Sequence, residues 1–175
     1  MRTFRNIKKE EVRDLLGKGW LTHDGSWFFE TARELGVAKA NKLNRAAISN
    51  MAPIEARRLC EVLGIEGKIG SFGEVEQLLR RGMELILPHS VFSKFHYTIP
   101  AKNVVHWEWD KGECFAYKGM GRMGLLDNYQ CGVIYRIECW FRALEIRCNS
   151  IPTIDKCLMH QTGHCHGDFE FFFGD

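Results

Sequence analysis

"VFSKFHYTIPAKNVVHWEWD", residues 91–110, is where the hydrophobic period of this chain changes. Val91, Phe95, Tyr97 and Ile99 alternate with Phe92, Lys94, His96 and Thr98, and Val105, Trp107 and Trp109 alternate with His106, Glu108 and Asp110. A period of two places successive side chains on opposite faces, so both runs read as half-buried strands. Lys111-Gly112 then predicts a turn into "ECFAYKG", which would close a hairpin with a further strand.

Upstream of Pro88 the period is near 3.6 instead. Ile7, Val12, Leu15 and Leu16 mark a helix that Gly17 and Gly19 should break. Asp24 reads as the N-cap of a second helix carrying Trp27, Phe28, Ala32 and Leu35 and ending at Gly36. Val37, Ala40, Leu43, Ala47 and Ile48 make a third. Pro53 suits the first turn of a fourth, with Leu59, Val62 and Leu63 buried and Gly64 as its stop. Residues 72–86, "FGEVEQLLRRGMELI", make the last of the set.

Downstream, "GMGRMGLLDNYQCG" has the glycines and polar residues of a loop that folds over something. Val133, Ile137, Trp140, Phe141 and Leu144 predict a helix over 133–144 that crosses a sheet completed by "LEIRC" and "GDFEFFF". The expected fold is therefore α+β: N-terminal helices, then an antiparallel sheet with a late crossover helix. A chain of 175 residues forms one substantial core, so residues 1–175 read as one domain. Residues 1–88 are mainly helical, and 89–175 hold the sheet, the crossover helix and a Cys/His loop.

A hydrophobic fraction of 45%, a charged fraction of 26% and a net charge of +2 describe an ordinary globular protein. Nucleic-acid modules cluster their cations on one face; here the dense basic spots are only the pairs at 8–9, 57–58 and 80–81, so no nucleic-acid partner is expected. No run approaches the roughly 20 apolar residues of a membrane span, and "MRTFRNIKKEE" is not a secretory leader. With seven cysteines, an odd number, the expectation is a reducing, cytoplasmic setting in which thiols serve as metal ligands, nucleophiles or small buried groups.

The densest chemistry lies in "CLMHQTGHCHGDFEFFF", residues 157–173. Cys157, His160, His164, Cys165 and His166 are donors that suit zinc or another transition metal. Cys131, just before a helix, is the distant third ligand. Read without a metal, the same cysteines are small buried apolar residues. Cys114 is either a reactive thiol or a fourth soft ligand, while Cys60, Cys139 and Cys148 fall on core patterns. The spacing Cys157-x7-Cys165 followed by "GDFEF", with Gly163 and the upstream Cys131, resembles the C-terminal portion of the 4-vinyl reductase domain. That resemblance implies a ligand-binding α+β fold and a zinc on Cys131, Cys157 and Cys165. The family's acidic ligand has no counterpart three residues before Cys157, where Ile154 stands, which leaves Asp155, His160 or His164 for the fourth position.

A second resemblance covers more of the chain. "LTHDGSWFF" at 21–29, "LNRAAISNMAPIEARRL" at 43–59, and Cys114, Gly124-Leu125, Cys131, Cys157 and Cys165 are similar to an uncharacterised family of cytosolic proteins from anaerobic bacteria and archaea.

The resulting expectation is a cytoplasmic metal-binding domain, the metal zinc, whose C-terminal lobe the metal fixes around a small apolar or aromatic ligand, with Trp107, Phe115 and Trp140 lining the chamber. The alternatives are a metalloenzyme with an open metal position, in which His23 or His164 shuttles a proton, and an iron–sulfur electron-transfer protein using Cys114, Cys131, Cys157 and Cys165. Either a homodimer or a separate output protein would complete a sensor.

Overall fold

A computed structural model describes residues 4–173. Its helices are α1 (Lys9–Leu35), α2 (Val37–Leu63), α3 (Phe72–Ile86), α4 (His89–Phe92), α5 (Phe115–Arg122), α6 (Val133–Ala143) and α7 (Leu158–Thr162). The strands β1 (Phe95–Ala101), β2 (Val104–Trp109), β3 (Arg147–Ile151) and β4 (Cys165–Phe172) form one sheet in the order β1-β2-β4-β3, antiparallel throughout. The α+β expectation holds. Among the described residues no helix is long and apolar enough to cross a membrane.

Where four N-terminal helices were expected before α3, two long ones stand. Each of α1 and α2 has 27 residues, and Gly36, with φ of 81°, is the whole turn between them. Gly17 and Gly19 interrupt nothing, and Asp24 lies in mid-helix, so it caps no helix start. A glycine costs a helix about 1 kcal/mol and a proline about 3, amounts that packing along a long helical hairpin exceeds. Pro53 is carried inside α2 in this way, between Ala52 and Ala56, both 0% exposed, which let α2 lie close against its neighbours.

Gly17 has a further reason: a Cβ there would stand 2.9 Å from Cγ of the buried Pro88, whereas one at Gly19 would meet nothing. Gly19→Ala is therefore expected to stabilise the protein by about 0.5–1 kcal/mol, the ordinary helical gain. Gly17→Ala should lose stability despite the same gain, because the proline ring must be displaced. Thermal melts of the two variants should move in opposite directions.

α3 is as the sequence predicts. Ser71 accepts from the Glu74 N–H at 3.4 Å while Glu74 accepts from the Ser71 N–H at 3.0 Å, a reciprocal cap. Val75, Leu78, Leu79 and Met83 give it a buried face. The strand expected from Val91 begins only at Phe95, because residues 89–92 form the short helix α4 behind Pro88. The hairpin lies one turn earlier than expected: Ala101 pairs with Val104 around Lys102-Asn103. Where residues 113–119 were expected as a strand and 119–132 as a loop, Phe115–Arg122 form the helix α5, with Met120 buried.

The strand faces separate as the alternation requires. Phe95, Val105, Trp107, Trp109, Cys165, Phe169 and Phe171 face the helices and are buried. The crossover helix α6 sets Phe141 edge-on to Phe169 at 5.2 Å and to Phe171 at 5.1 Å. The outer face carries His96, His106, Glu108, His166 and Asp168, with His106 Nδ1 2.7 Å from Asp168 Oδ1. Asp110 joins this polar set by bonding His96 at 2.8 Å and Lys94 at 3.3 Å.

Candidate functional site

Two of the C-terminal helices begin at a cysteine, and a third follows one closely. Cys114 is the N-cap of α5, Cys157 is the N-cap of α7, and Cys131 stands two residues before the first residue of α6. Such starts leave several backbone N–H groups without helical partners and favour negative charge. The N–H groups of Ala116 and Tyr117 favour the Cys114 thiolate, those of Val133 and Ile134 the Cys131 thiolate, and those of Met159 and His160 the Cys157 thiolate. Neither N-cap cysteine completes a capping hydrogen bond with its side chain.

Backbone contacts tie the cysteine-bearing segments together. Cys131 N–H donates to Asp155 O at 2.8 Å, and Gln130 and Lys156 form an antiparallel bridge beside it. Gly112 N–H points at Met159 Sδ, 3.2 Å away, linking the approach to Cys114 with α7. Cys165 opens β4 opposite Trp109, whose indole N–H is buried without a partner.

As a result Cys114, Cys131, Cys157 and Cys165 are all buried and all within electrostatic reach of one another. Burial is the largest influence on each thiol. It pushes Cys114 up to about 12 and Cys131 to about 11, and it raises Cys157 and Cys165 as well. As placed, no group of three or more His, Cys, Asp or Glu side chains among the described residues could hold a metal ion. The four thiols are thus neighbours that must draw closer to share one.

The other predicted donors turn elsewhere. His160 Nε2 lies 2.8 Å from Asp127 Oδ1, His164 is exposed, and Asp155 accepts from Arg45 and Gln130 at 3.0 Å each. His23 is exposed on α1 and stacks on Trp20 with ring centroids 6.3 Å apart.

Beside the thiols is a chamber of about 280 Å³ between α1, α2 and α6, with Phe115, Tyr129, Gly132 and Trp140 in its wall. It adjoins a second space of about 620 Å³ toward α5, sharing Leu21, Asp24, Asn44, Phe115 and Tyr129 with it. Two of the predicted chamber residues, Phe115 and Trp140, line the inner space; Trp107 packs in the sheet core at 1% exposure against Phe169. Tyr129 joins chamber and thiols, because it lines the cavity, accepts from the Gly132 N–H at 3.1 Å, and feels Cys131, Cys114 and Cys157. Arg136 is clamped by both carboxylate oxygens of Glu55, which also accepts from Trp140 Nε1 at 2.8 Å.

Asp24 lines the chamber while remaining exposed on one side of α1, and partial desolvation raises its pKa, with Arg136 and His23 opposing the rise more weakly. A carboxyl whose folded pKa lies above its unfolded value binds more protons when folded, so stability falls as pH rises through that window. Asp24→Asn should accordingly raise the melting temperature at pH 7 and leave it unchanged near pH 3, where both states are protonated. Melting curves at the two pH values check this.

Sequence reasoning missed the chamber roles of Asp24, Asn44, Glu55 and Arg136 and left Cys114 ambiguous. A usable signal existed for the cysteines: "CFAY", "CGVI" and "CLMH" each place a cysteine where a helix start can stabilise its thiolate.

The model of a family of unknown function, DUF6125, matches residues 5–99. No curated protein and no solved structure matches the chain.

Proposed function

We propose that this chain, which belongs to the DUF6125 family of unknown function, is a metal-dependent small-molecule-binding domain in which Cys114, Cys131, Cys157 and Cys165 close on one cation, zinc by preference. The observation that carries the reading is the gathering of four buried thiols, three of them at helix starts. Four thiolates make a complete tetrahedral shell, the form of structural zinc. Cys114 takes the fourth position in place of Asp155, His160 or His164. The unpartnered indole N–H of Trp109, across the ladder from Cys165, is a spare donor in the same region.

Burial explains why a cation is required. Thiols with pKa values near 11 and 12 stay protonated at neutral pH, and only a bound metal makes thiolates of them. The ion would then lock α5, α6, α7 and β4 to one another beneath the chamber. A small apolar or aromatic molecule enters that chamber, and its contacts with Phe115, Tyr129 and Trp140 shift the packing over the metal, which is the output of a sensor. The 4-vinyl-reductase-like reading of the C-terminal half belongs to this proposal, supported by the antiparallel sheet and the three shared cysteine positions. A partner is part of it too: Leu15, Leu16, Trp20 and Trp27 are exposed along α1, a surface suited to a second copy or to an output protein.

Metal analysis with an absorption spectrum, on protein purified without oxygen, tests the reading. About one zinc per chain and no visible absorption are expected. Brown protein with iron and sulfide would replace zinc by an iron–sulfur cluster on the same cysteines. Metal-free protein with four titratable thiols that folds normally would overturn the proposal.

A further inference from the structure

We infer that the chamber takes a small amine with an apolar or aromatic body, its ammonium group held by the Asp24 carboxylate. This rests on the chamber reading above and adds the charge of the ligand.

The inner space has three ionisable side chains in its lining: Asp24, Tyr129 and Arg136. Tyr129 is buried and its pKa is raised well above the ordinary value, so it is neutral. Arg136 is committed to Glu55, which closes a neutral pair with Trp140 Nε1 as a third member. Asp24 makes no hydrogen bond or ion pair among the described residues and meets Arg136 and His23 only through longer-range attraction. The chamber therefore holds one carboxylate whose charge is unspent. Lys18 and Lys118, which line the outer space, bond Asp14 at 3.1 Å and Glu113 at 2.9 Å.

The remaining wall is apolar and aromatic, with Phe115, Tyr129 and Trp140 offering ring faces that attract a cation as well as an apolar body. A volume of about 280 Å³ sits at the small end of ligand cavities and suits a molecule with a single ring. An anionic ligand would meet Asp24 as a like charge and would have to compete with Glu55 for Arg136. A neutral one would leave the carboxylate without a charged partner at the chamber wall, where it stays exposed to solvent on one side. An ammonium group would supply that partner and add a charge-assisted hydrogen bond.

Calorimetric titration of the full-length protein at pH 7.5 with benzylamine, benzyl alcohol and benzoate, three probes of one shape, tests the inference. Benzylamine should bind at least about threefold more tightly than benzyl alcohol, the scale of a charge-assisted bond at a partly solvated site. Asp24→Asn should remove that preference while leaving metal content unchanged, and Asp24→Ser should do the same. Equal affinity for amine and alcohol in the parent protein, or tighter binding of benzoate, would overturn the inference while the chamber stands. Binding of none of the three would overturn both the inference and the chamber reading beneath it.

Discussion

Cys165→Ser is expected, under the proposed four-thiolate site, to abolish metal binding and to lower stability by about 3–5 kcal/mol, a fall of roughly 6–20 °C in melting temperature for a chain of this size. Serine is close to cysteine in volume, so packing alone would change little. The hydroxyl, however, does not ionise near neutral pH and is a poor zinc ligand, and the sulfur it replaces feels the other three thiols. Once the shell is incomplete, Cys114 and Cys131 return to the protonated state that burial imposes, with pKa values of about 12 and 11. Cys114→Ser should have the same effect, which distinguishes the four-thiolate site from one completed by His160 or His164. Cys60→Ser is the control: Cys60 is half-buried on α2 and should keep full metal content. Zinc per chain and melting temperature are the two measurements. The assignment fails if Cys114→Ser and Cys165→Ser both match the parent in each.

Gly167→Ala should be comparably damaging for a purely steric reason. Gly167 lies in β4, between β2 and β3, opposite Trp107. An added Cβ would stand 2.6 Å from the carbonyl oxygen of Ile151 and 2.8 Å from Cζ2 of Trp107. The first neighbour is backbone on β3 and cannot retreat without opening the β3-β4 ladder. The second belongs to an indole at 1% exposure, packed against Phe169. Overpacking of this kind costs about 1–3 kcal/mol where neighbours can adjust, and here the nearest is main chain, so about 3 kcal/mol or more is expected. Trp107→Phe in the same chain should restore part of the loss, because it shortens the ring but leaves the Ile151 contact. Urea unfolding midpoints of the single and double variants decide it; a Gly167→Ala protein as stable as the parent would mean that β3 and β4 are farther apart than described.

Much of the fold was legible because it follows from local periodicity. The helix read over residues 72–86 is α3 to the residue, and the structure shows its start held by the reciprocal cap of Ser71 and Glu74. The alternation through Trp107 and Trp109 placed β2 and sorted its faces, and the spacing from Val133 to Phe141 placed α6. Errors came where a local signal was overruled. Gly17, Gly19, Asp24 and Pro53 each read as a boundary, and each lies inside a helix because the packing of the whole helix outweighs the local preference. Residues 113–119 misled for another reason: a short run with mixed apolar and small residues satisfies either period.

For the candidate site, the sequence singled out Cys131, Cys157 and Cys165 and set His160 and His164 beside them. Histidines crowd near Cys157 along the chain, yet His160 turns to Asp127 while the distant Cys114 joins the thiols.

By itself, then, the sequence determined the α+β order, the buried faces of α3, α6 and β2, and the donor types available, since these depend on contacts within a few residues. The tertiary structure decided the continuity of α1 and α2, the placing of Asp24 and Phe115 on one chamber, and the company of Cys114. Those depend on which distant surfaces meet, and burying a surface against a partner tens of residues away releases more free energy than any single local preference can oppose.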